Sequence, residues 1–300
     1  MLRTLTLPIR IILLVCACNA PDQRQAAVPI VSVGQLTQDT VILVGAGDIA
    51  DCGSDGDEQT ARLLDSIPGT IFTAGDNAYS DGAPSEFVGC YNPSWGRHKT
   101  RTRPSPGNHD FRSSRGGPYY RYFGAHAGDP GLGYYSFDLG AWHVISLNSN
   151  IGMKAGSPQE RWLRADLAAT RAKCVIAYWH HPRFSSSNGH GNDPSTTPLW
   201  RALYESGADI VLGGHDHTYE RFAPQTPDGR ADPERGIREF VVGTGGADHY
   251  GFDSAEPNSE VRNGDTWGVL KLTLMPDAYR WQFVPVAGKT FSDSGSGRCH

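Results

Sequence analysis

Val41-Ile-Leu-Val-Gly-Ala-Gly-Asp48 decides the fold: a compact apolar run stops at Gly47-Asp48 and a polar, Gly-rich loop follows. A run this short, bounded by glycine, reads as a buried strand. Glu58–Ser66 then reads as a helix with Leu63, Leu64 and Ile67 on its apolar face, stopped by Pro68-Gly69. Thr70-Ile-Phe-Thr-Ala74 is a second strand, and it too ends on a carboxylate, at Gly75-Asp76. Strand, helix and strand in this order open an α/β sheet.

The pattern continues outward. Tyr134–Leu139 and Trp142–Leu147 form a hairpin about Gly140-Ala141. Gln159–Ala169 and Pro198–Ser206 read as helices, Cys174–Trp179 and Asp209–Leu212 as strands. Ile237–Val242, Val269–Met275 and Tyr279–Pro285 are three more strands. Early alternation with a strand-rich end predicts an α/β domain with mixed sheets. No linker interrupts the chain after residue 40, so residues 41–300 make one catalytic domain.

Residues 1–20 read as a signal peptide. Arg3 and Arg10 flank the apolar run Ile11-Ile-Leu-Leu-Val15, and small residues follow it. The run is far shorter than the roughly 20 apolar residues of a membrane span. Two endings stay open. Val15-Cys-Ala-Cys18 resembles a bacterial lipobox, which would lipidate Cys18; cleavage after Ala20 would release a secreted protein. Either way the chain is exported, to the periplasm, the cell surface or the medium, and it meets a membrane only through that lipid. Residues 21–40 are the linker, polar and Pro-containing.

Export leaves Cys52, Cys90, Cys174 and Cys299 in an oxidising compartment, where they allow two disulfides in three pairings. Cys52 and Cys90 both lie near metal-type motifs, and Cys299 sits at a terminus that gains from tethering. That favours Cys52–Cys90 with Cys174–Cys299. A zinc site is the competing reading, disfavoured because no C-x-x-C pair follows the leader. The net charge is −5, and −7 once the two leader arginines are gone. Nucleic-acid binding is not expected of such a chain. An acidic protein that handles anions needs local positive charge, and bound metal cations supply it.

The polar groups at the strand ends carry the chemistry. Asp48 follows the first strand and Asp76-Asn77 the second; Asn108-His109-Asp110 follows a Gly/Pro/aromatic stretch. His180-His181 and His215-Asp216-His217 follow two later strands. Sites in α/β sheets gather at the carboxyl ends of strands, so these groups converge. Asp, Asn and His together form an oxygen/nitrogen donor set suited to Fe, Mn or Zn. Two ions a few ångströms apart need a bridging carboxylate as well, and the set is large enough to provide one. Taken singly each motif is weak, since Asp48 alone reads as a turn or cap residue.

In chain order the pieces are Gly47-Asp48, Gly75-Asp-Asn-Ala-Tyr79, Gly107-Asn-His-Asp110, His180-His-Pro182 and Gly214-His-Asp-His-Thr-Tyr-Glu-Arg221. This order resembles the calcineurin-like metallophosphoesterases, and within them the purple acid phosphatases, over about residues 41–285. Many relatives place a His two residues after the first Asp, where this chain has Ala50. In the purple acid phosphatases a Tyr three residues after the second Asp takes over, and here that is Tyr79. The resemblance implies two mixed β-sheets packed as a sandwich and flanked by helices. It also implies two metal ions. Asp48, Asp76, Tyr79 and His217 would hold Fe(III), while Asp76, Asn108, His180 and His215 would hold a divalent Zn, Mn or Fe. Asp76 would bridge them, and His180 is preferred to His181 because the family pattern is His-x-Pro.

The activity so implied is hydrolysis of small-molecule phosphate esters, monoesters first, by hydroxide generated on the metals. A phosphodiesterase or nucleotidase is the alternative on the same site. A non-catalytic surface lipoprotein of the same fold is the alternative from another class. His109 is the candidate acid, and Asp110 orients its neighbours. His190 resembles in position a substrate-facing histidine of plant members. Three other features take plain readings. Trp95–Arg103, basic and aromatic, is a solvated loop; His143 is a sheet histidine; Gly243-Thr-Gly-Gly246 lacks the Lys and helix of a phosphate loop and is a turn.

Overall fold

The computed structural model describes Met1, Leu2 and residues 40–300, so the expected leader, lipobox and linker lie almost wholly outside the described residues. β1 (Val41–Ala46), α1 (Gly56–Ser66) and β2 (Thr70–Ala74) follow one another, with β2 parallel to β1. Asp57 and Glu58 occupy the first turn of α1, where negative charge suits the helix dipole. The short α2 (Pro84–Glu86) precedes β3 (Thr102–Ser105), which pairs parallel to β2. Next come α3 (Asn108–Arg112), α4 (Gly117–Phe123) and the hairpin of β4 (Tyr135–Leu139) with β5 (Trp142–Ser146). Gly140 makes the hairpin turn at φ 61°, a conformation open to glycine.

Helices α5 (Pro158–Ala169) and α6 (Thr197–Glu205) alternate with β6 (Cys174–Tyr178) and β7 (Ile210–Gly213). The remaining strands are β8 (Tyr219–Phe222), β9 (Arg238–Val242) and β10 (Ser259–Asn263). After them come β11 (Gly268–Met275), β12 (Ala278–Pro285) and β13 (Ser294–Arg298).

One sheet runs β13-β12-β11-β1-β2-β3 and the other β10-β8-β9-β7-β6-β5-β4. Both mix parallel and antiparallel pairs. Leu43, Leu270 and Leu272 of the first sheet share a core with Val144, Ile176, Leu212 and Phe240 of the second. The alternate positions Ile145, Val175, Val211 and Val241 pack instead with Leu163 of α5 and Trp200 and Leu203 of α6. Period-two alternation along the second sheet thus separates a sheet–sheet core from a sheet–helix core. This is the expected sandwich flanked by helices.

Four strands fall outside the sequence reading: β3, β8, β10 and β13. Thr102-Arg-Pro-Ser105 holds a proline and forms an edge, where a missing N–H costs no ladder bond. Ser294-Gly-Ser-Gly-Arg298 has no apolar residue, and a Cβ on Gly295 or Gly297 would collide with the ring of Trp281 or Tyr279. Glycine there lets the last strand lie close on aromatic faces. Trp95–Arg103 is not a solvated loop. Trp95 is buried and its indole N–H donates to Thr60 at 2.9 Å; Arg97 pairs with Glu58 at 2.6 Å and with Asp65 at 2.9 Å. Arg101 donates to the carbonyls of Leu64, Ile67 and Gly69. The basic charge therefore serves the acids of α1 and its open carboxyl end.

His143 stands in β5 as a sheet histidine, with Nδ1 2.9 Å from Asp138 and Nε2 2.8 Å from Asp166. The hydrogen bond to Asp166 raises its pKa, and Asp138 adds to this against the opposing effect of burial. A raised folded-state pKa stabilises below the unfolded value of about 6.5, and the benefit is lost as pH climbs through the folded value. His143→Gln should therefore destabilise more at about pH 5.5 than at about pH 9. Denaturant unfolding at the two pH values measures this, and equal losses would contradict a charged bridge.

Cys52 is bonded to Cys90, and Cys174 to Cys299 across 125 residues. Closing a loop of that length restricts the unfolded chain strongly. Cys174→Ser is expected to lower stability by roughly 2–5 kcal/mol by urea denaturation, and a loss under about 1 kcal/mol would contradict that role.

Candidate metal centre

Asp48, Asp76, His180 and His215 follow the carboxyl ends of β1, β2, β6 and β7, and Asn108 opens α3 just after β3. Asp48, Asp76 and His215 have left-handed backbone, with φ of 60°, 48° and 70°. Such a conformation costs an L-residue about 1–2 kcal/mol and persists only where surrounding structure imposes it. The motif glycines make the room. A Cβ on Gly107 would collide with the Asp76 carboxylate, and one on Gly214 would lie 2.6 Å from Asp48 Oδ2. Gly243–Gly246 is an irregular bend rather than a hydrogen-bonded turn, and it backs onto the same loop: the Gly245 N–H donates to the Gly47 carbonyl and that of Ala247 to the Asp48 carbonyl.

Seven side chains meet at these ends in two groups. The Tyr79 hydroxyl donates to Asp48 Oδ1 at 2.8 Å and lies 3.1 Å from His217 Nε2, itself 3.4 Å from Asp48 Oδ1. His180 Nε2 lies 3.2 Å from Asp76 Oδ2, 2.9 Å from Asn108 Oδ1 and 3.1 Å from His215 Nδ1. Donor atoms of Asp48, Asp76 and His180 all fall within 4.8 Å of one another, which joins the groups. Metal–ligand bonds near 2.1 Å require ligand–ligand edges of about 3.0 Å in an octahedron and about 3.4 Å in a tetrahedron. The spacings fit that requirement. Among the described residues no Lys or Arg is bonded to Asp48 or Asp76, so the two buried carboxylates lack a fixed cation.

The family model for calcineurin-like phosphoesterases matches residues 22–219. The chain belongs to that family. Among curated relatives, purple acid phosphatase 18 of Arabidopsis thaliana is 36% identical over 118 residues, which is 38% of this chain and 26% of that protein. Purple acid phosphatase 15 of the same plant is 27% identical over 197 residues, covering 54% of this chain and 37% of its own length. The chain thus spans only about a quarter to two-fifths of the length of the plant proteins it matches. Two solved structures share the fold. Purple acid phosphatase PPD1 from yellow lupin has a TM-score of 0.70 at 19% identity, over 86% of this chain and 53% of its own. GAP50 of Plasmodium, the anchor in the inner membrane complex, has a TM-score of 0.67 at 14% identity, over 87% and 89%.

In this calcineurin-like phosphoesterase the supporting bonds orient the donors. His180 Nδ1 donates to the Ala74 carbonyl at 2.8 Å and His217 Nδ1 to the Asp248 carbonyl at 2.6 Å. Each Nε2 is thereby turned into the cluster. The His109 N–H donates to Asp76 Oδ1, and the His215 N–H to Asp48 Oδ2, both at 2.8 Å. Burial raises the Asp76 carboxyl, but the imidazoles of His180 and His109 outweigh it and hold the group below the usual carboxylate range. Burial lowers His180, and the Asp76 and Asp48 carboxylates more than offset this, to about 9. Burial, then Asp48 and Asp76, push the Tyr79 phenol well above its ordinary value. With two carboxylates gathered, a proton on His180 is the internal counter-charge, and a cation would replace it.

The three further residues singled out lie around this cluster in different ways. His109 Nδ1 donates to the Ser80 carbonyl at 2.5 Å, while Nε2 stands 3.9 Å from Asp76 Oδ2. Asp110 faces away, accepting from the N–H and Nδ2 of Asn77 and the N–H of Gly107. Burial and the nearby Asp76 charge push it up to about 7. It braces the Asp76-Asn77 and Gly107-Asn108 segments against each other. His190 stacks on His215 with ring centres 3.8 Å apart. His181 hydrogen-bonds the Ser149 hydroxyl at 2.7 Å; burial and the neighbouring His180 lower it to about 4. Tyr250, absent from the sequence reading, stacks on His217 at 4.1 Å and 8°. It sits in an irregular loop, and nothing local to it signals the contact.

Proposed function

We propose that the protein is a metal-dependent hydrolase of phosphate esters, working as a purple-acid-phosphatase-like phosphomonoesterase. The observation that supports it most is the pairing of two donor groups with Asp76 between them. In this reading Asp48, Asp76, Tyr79 and His217 hold Fe(III), and Asp76, Asn108, His180 and His215 hold a divalent ion. When bound, the cations supply the charge that phosphoryl transfer needs and lower the pKa of a coordinated water from about 15.7 toward about 7. His109 is the proton donor: its Nδ1 is committed to Ser80, which leaves Nε2 to face the leaving oxygen. His190, held against His215, hydrogen-bonds the phosphate. Two disulfides support export of the chain.

Turnover of p-nitrophenyl phosphate and bis(p-nitrophenyl) phosphate by the metal-loaded full chain tests the reading. The monoester should be the faster substrate by at least about 10-fold, as a site neutralising a dianion requires. A faster diester would make the protein a phosphodiesterase, and no turnover of either would contradict hydrolase function. Burial and two carboxylates hold the Tyr79 phenol protonated, and a strongly charged cation bound there would displace that proton to solvent. Tyr79→Phe should therefore remove visible absorption and leave the divalent ion and the fold in place. An iron-loaded yet colourless wild-type protein would contradict the Tyr79 assignment.

A further inference from the structure

A cavity of about 500 Å³ opens between α3 and α4, lined by Phe111, Ser114, Arg115, Tyr120, Arg121 and Pro130 among others. α3 joins it to the cluster. Phe111 stands three residues after Asn108 on that helix, a rise of about 5 Å. Next to Phe111, Arg112 donates to the Ser80 carbonyl at 3.0 Å, the same oxygen that receives His109 Nδ1. The cavity thus shares α3 with Asn108 and His109.

Its chemistry is unlike that of the chain as a whole, whose net charge is −5. Two guanidinium groups line it, and among the described residues neither has an ion pair or side-chain hydrogen bond. Arg97, Arg101 and Arg221, by contrast, are all engaged. Each free guanidinium offers five N–H donors in a planar fork that matches phosphate or carboxylate. Phe111 and Tyr120 supply an aromatic wall, with ring centres 6.4 Å apart. The turn that carries Arg115 is strained: Ser114, Arg115 and Gly116 are successively left-handed, at φ 49°, 52° and 81°. Backbone held so against its preference clusters at ligand clamps.

We propose that this cavity is a subsite for a second anionic group on the substrate, so that the preferred esters have leaving groups bearing a further phosphate or carboxylate. The proposal rests on the hydrolase reading for its catalytic half and on the two arginines for its binding half. Arg115 and Arg121 take the distal anion, and Phe111 and Tyr120 pack the body of the leaving group.

The test uses the metal-loaded full chain with three substrates: ADP, with both anion and ring; pyrophosphate, with the anion alone; and p-nitrophenyl phosphate, with the ring alone. The variant is Arg115→Asn with Arg121→Ala, asparagine being tolerant of left-handed backbone. For ADP and pyrophosphate kcat/KM should fall by about 10–100-fold, mostly through KM, as expected for lost charge-assisted hydrogen bonds. p-Nitrophenyl phosphate should change by less than about 2-fold, because it has no second anion. Arg115→Lys should recover part of the loss. An equal fall on all three substrates, or a fall on ADP with pyrophosphate unchanged, would overturn the subsite. Calorimetry gives a readout independent of turnover. The double variant should weaken pyrophosphate binding by at least about 10-fold and leave orthophosphate binding unchanged, and equal binding of pyrophosphate by both proteins would refute the proposal. If the wild type hydrolyses none of the substrates, the hydrolase reading fails while calorimetry still decides the anion site.

Discussion

Asp76→Ala is expected to strip both metal ions and to lower turnover of p-nitrophenyl phosphate by at least about 10⁴-fold, the several kcal/mol that metal catalysis contributes. Its carboxylate lies between the two groups in this reading: Oδ2 is 3.2 Å from His180 Nε2, and Asp48 falls within the same 4.8 Å cluster. Oδ1 also receives the His109 N–H, so the substitution frees the first turn of α3, which bears His109. Asp76→Asn keeps the shape and removes the charge, and it should lose metals nearly as fully. Circular dichroism should show both variants folded, because the core between the sheets does not depend on Asp76. Two metals per chain with normal turnover in Asp76→Ala would refute the shared-carboxylate site.

His109→Ala separates proton handling from metal binding. The bond from the backbone N–H of residue 109 to Asp76 survives the substitution, so metal content should stay near normal. A positioned acid contributes roughly 10²–10⁴-fold, so alkyl phosphates with poor leaving groups should slow by about that factor. Nitrophenyl phosphate needs little protonation and should slow by less than about 10-fold. The imidazole also packs against Tyr79, with ring centres 4.5 Å apart, so His109→Asn is a useful second variant that fills more of the space. Equal slowing of good and poor leaving groups in both variants would remove His109 as the acid and point to His190.

The parts of this molecule legible in its sequence are those whose cause is local. The apolar runs of β1, β2, β6 and β7 specify buried strands by themselves, and the residues that follow them fall at one end of the sheets. The motif glycines are legible as the start of loops, although the steric reason, a backbone pressed against the Asp76 and Asp48 carboxylates, belongs to the folded chain. What escaped depends on distant partners. The basic run at Trp95–Arg103 resembles an exposed loop until the acids and open carbonyls of α1, some 30 residues earlier, are set beside it. β13 has no apolar residue because its glycines seat it against Tyr279 and Trp281. The carbonyl of Asp248, which orients His217, is a backbone group that any residue type would present. Tyr250 was hidden for a similar reason, since the stacking on His217 is made by the path of a loop.

Elemental analysis of the purified full chain, read alongside its visible absorption spectrum, tests the central claim most directly. Two metal ions per chain, one of them iron, with an absorption band that Tyr79→Phe removes, is the result expected from donors spaced 2.8–3.4 Å apart in two groups around Asp76. A chain that hydrolyses phosphate esters at full rate while holding one metal ion or none would contradict it.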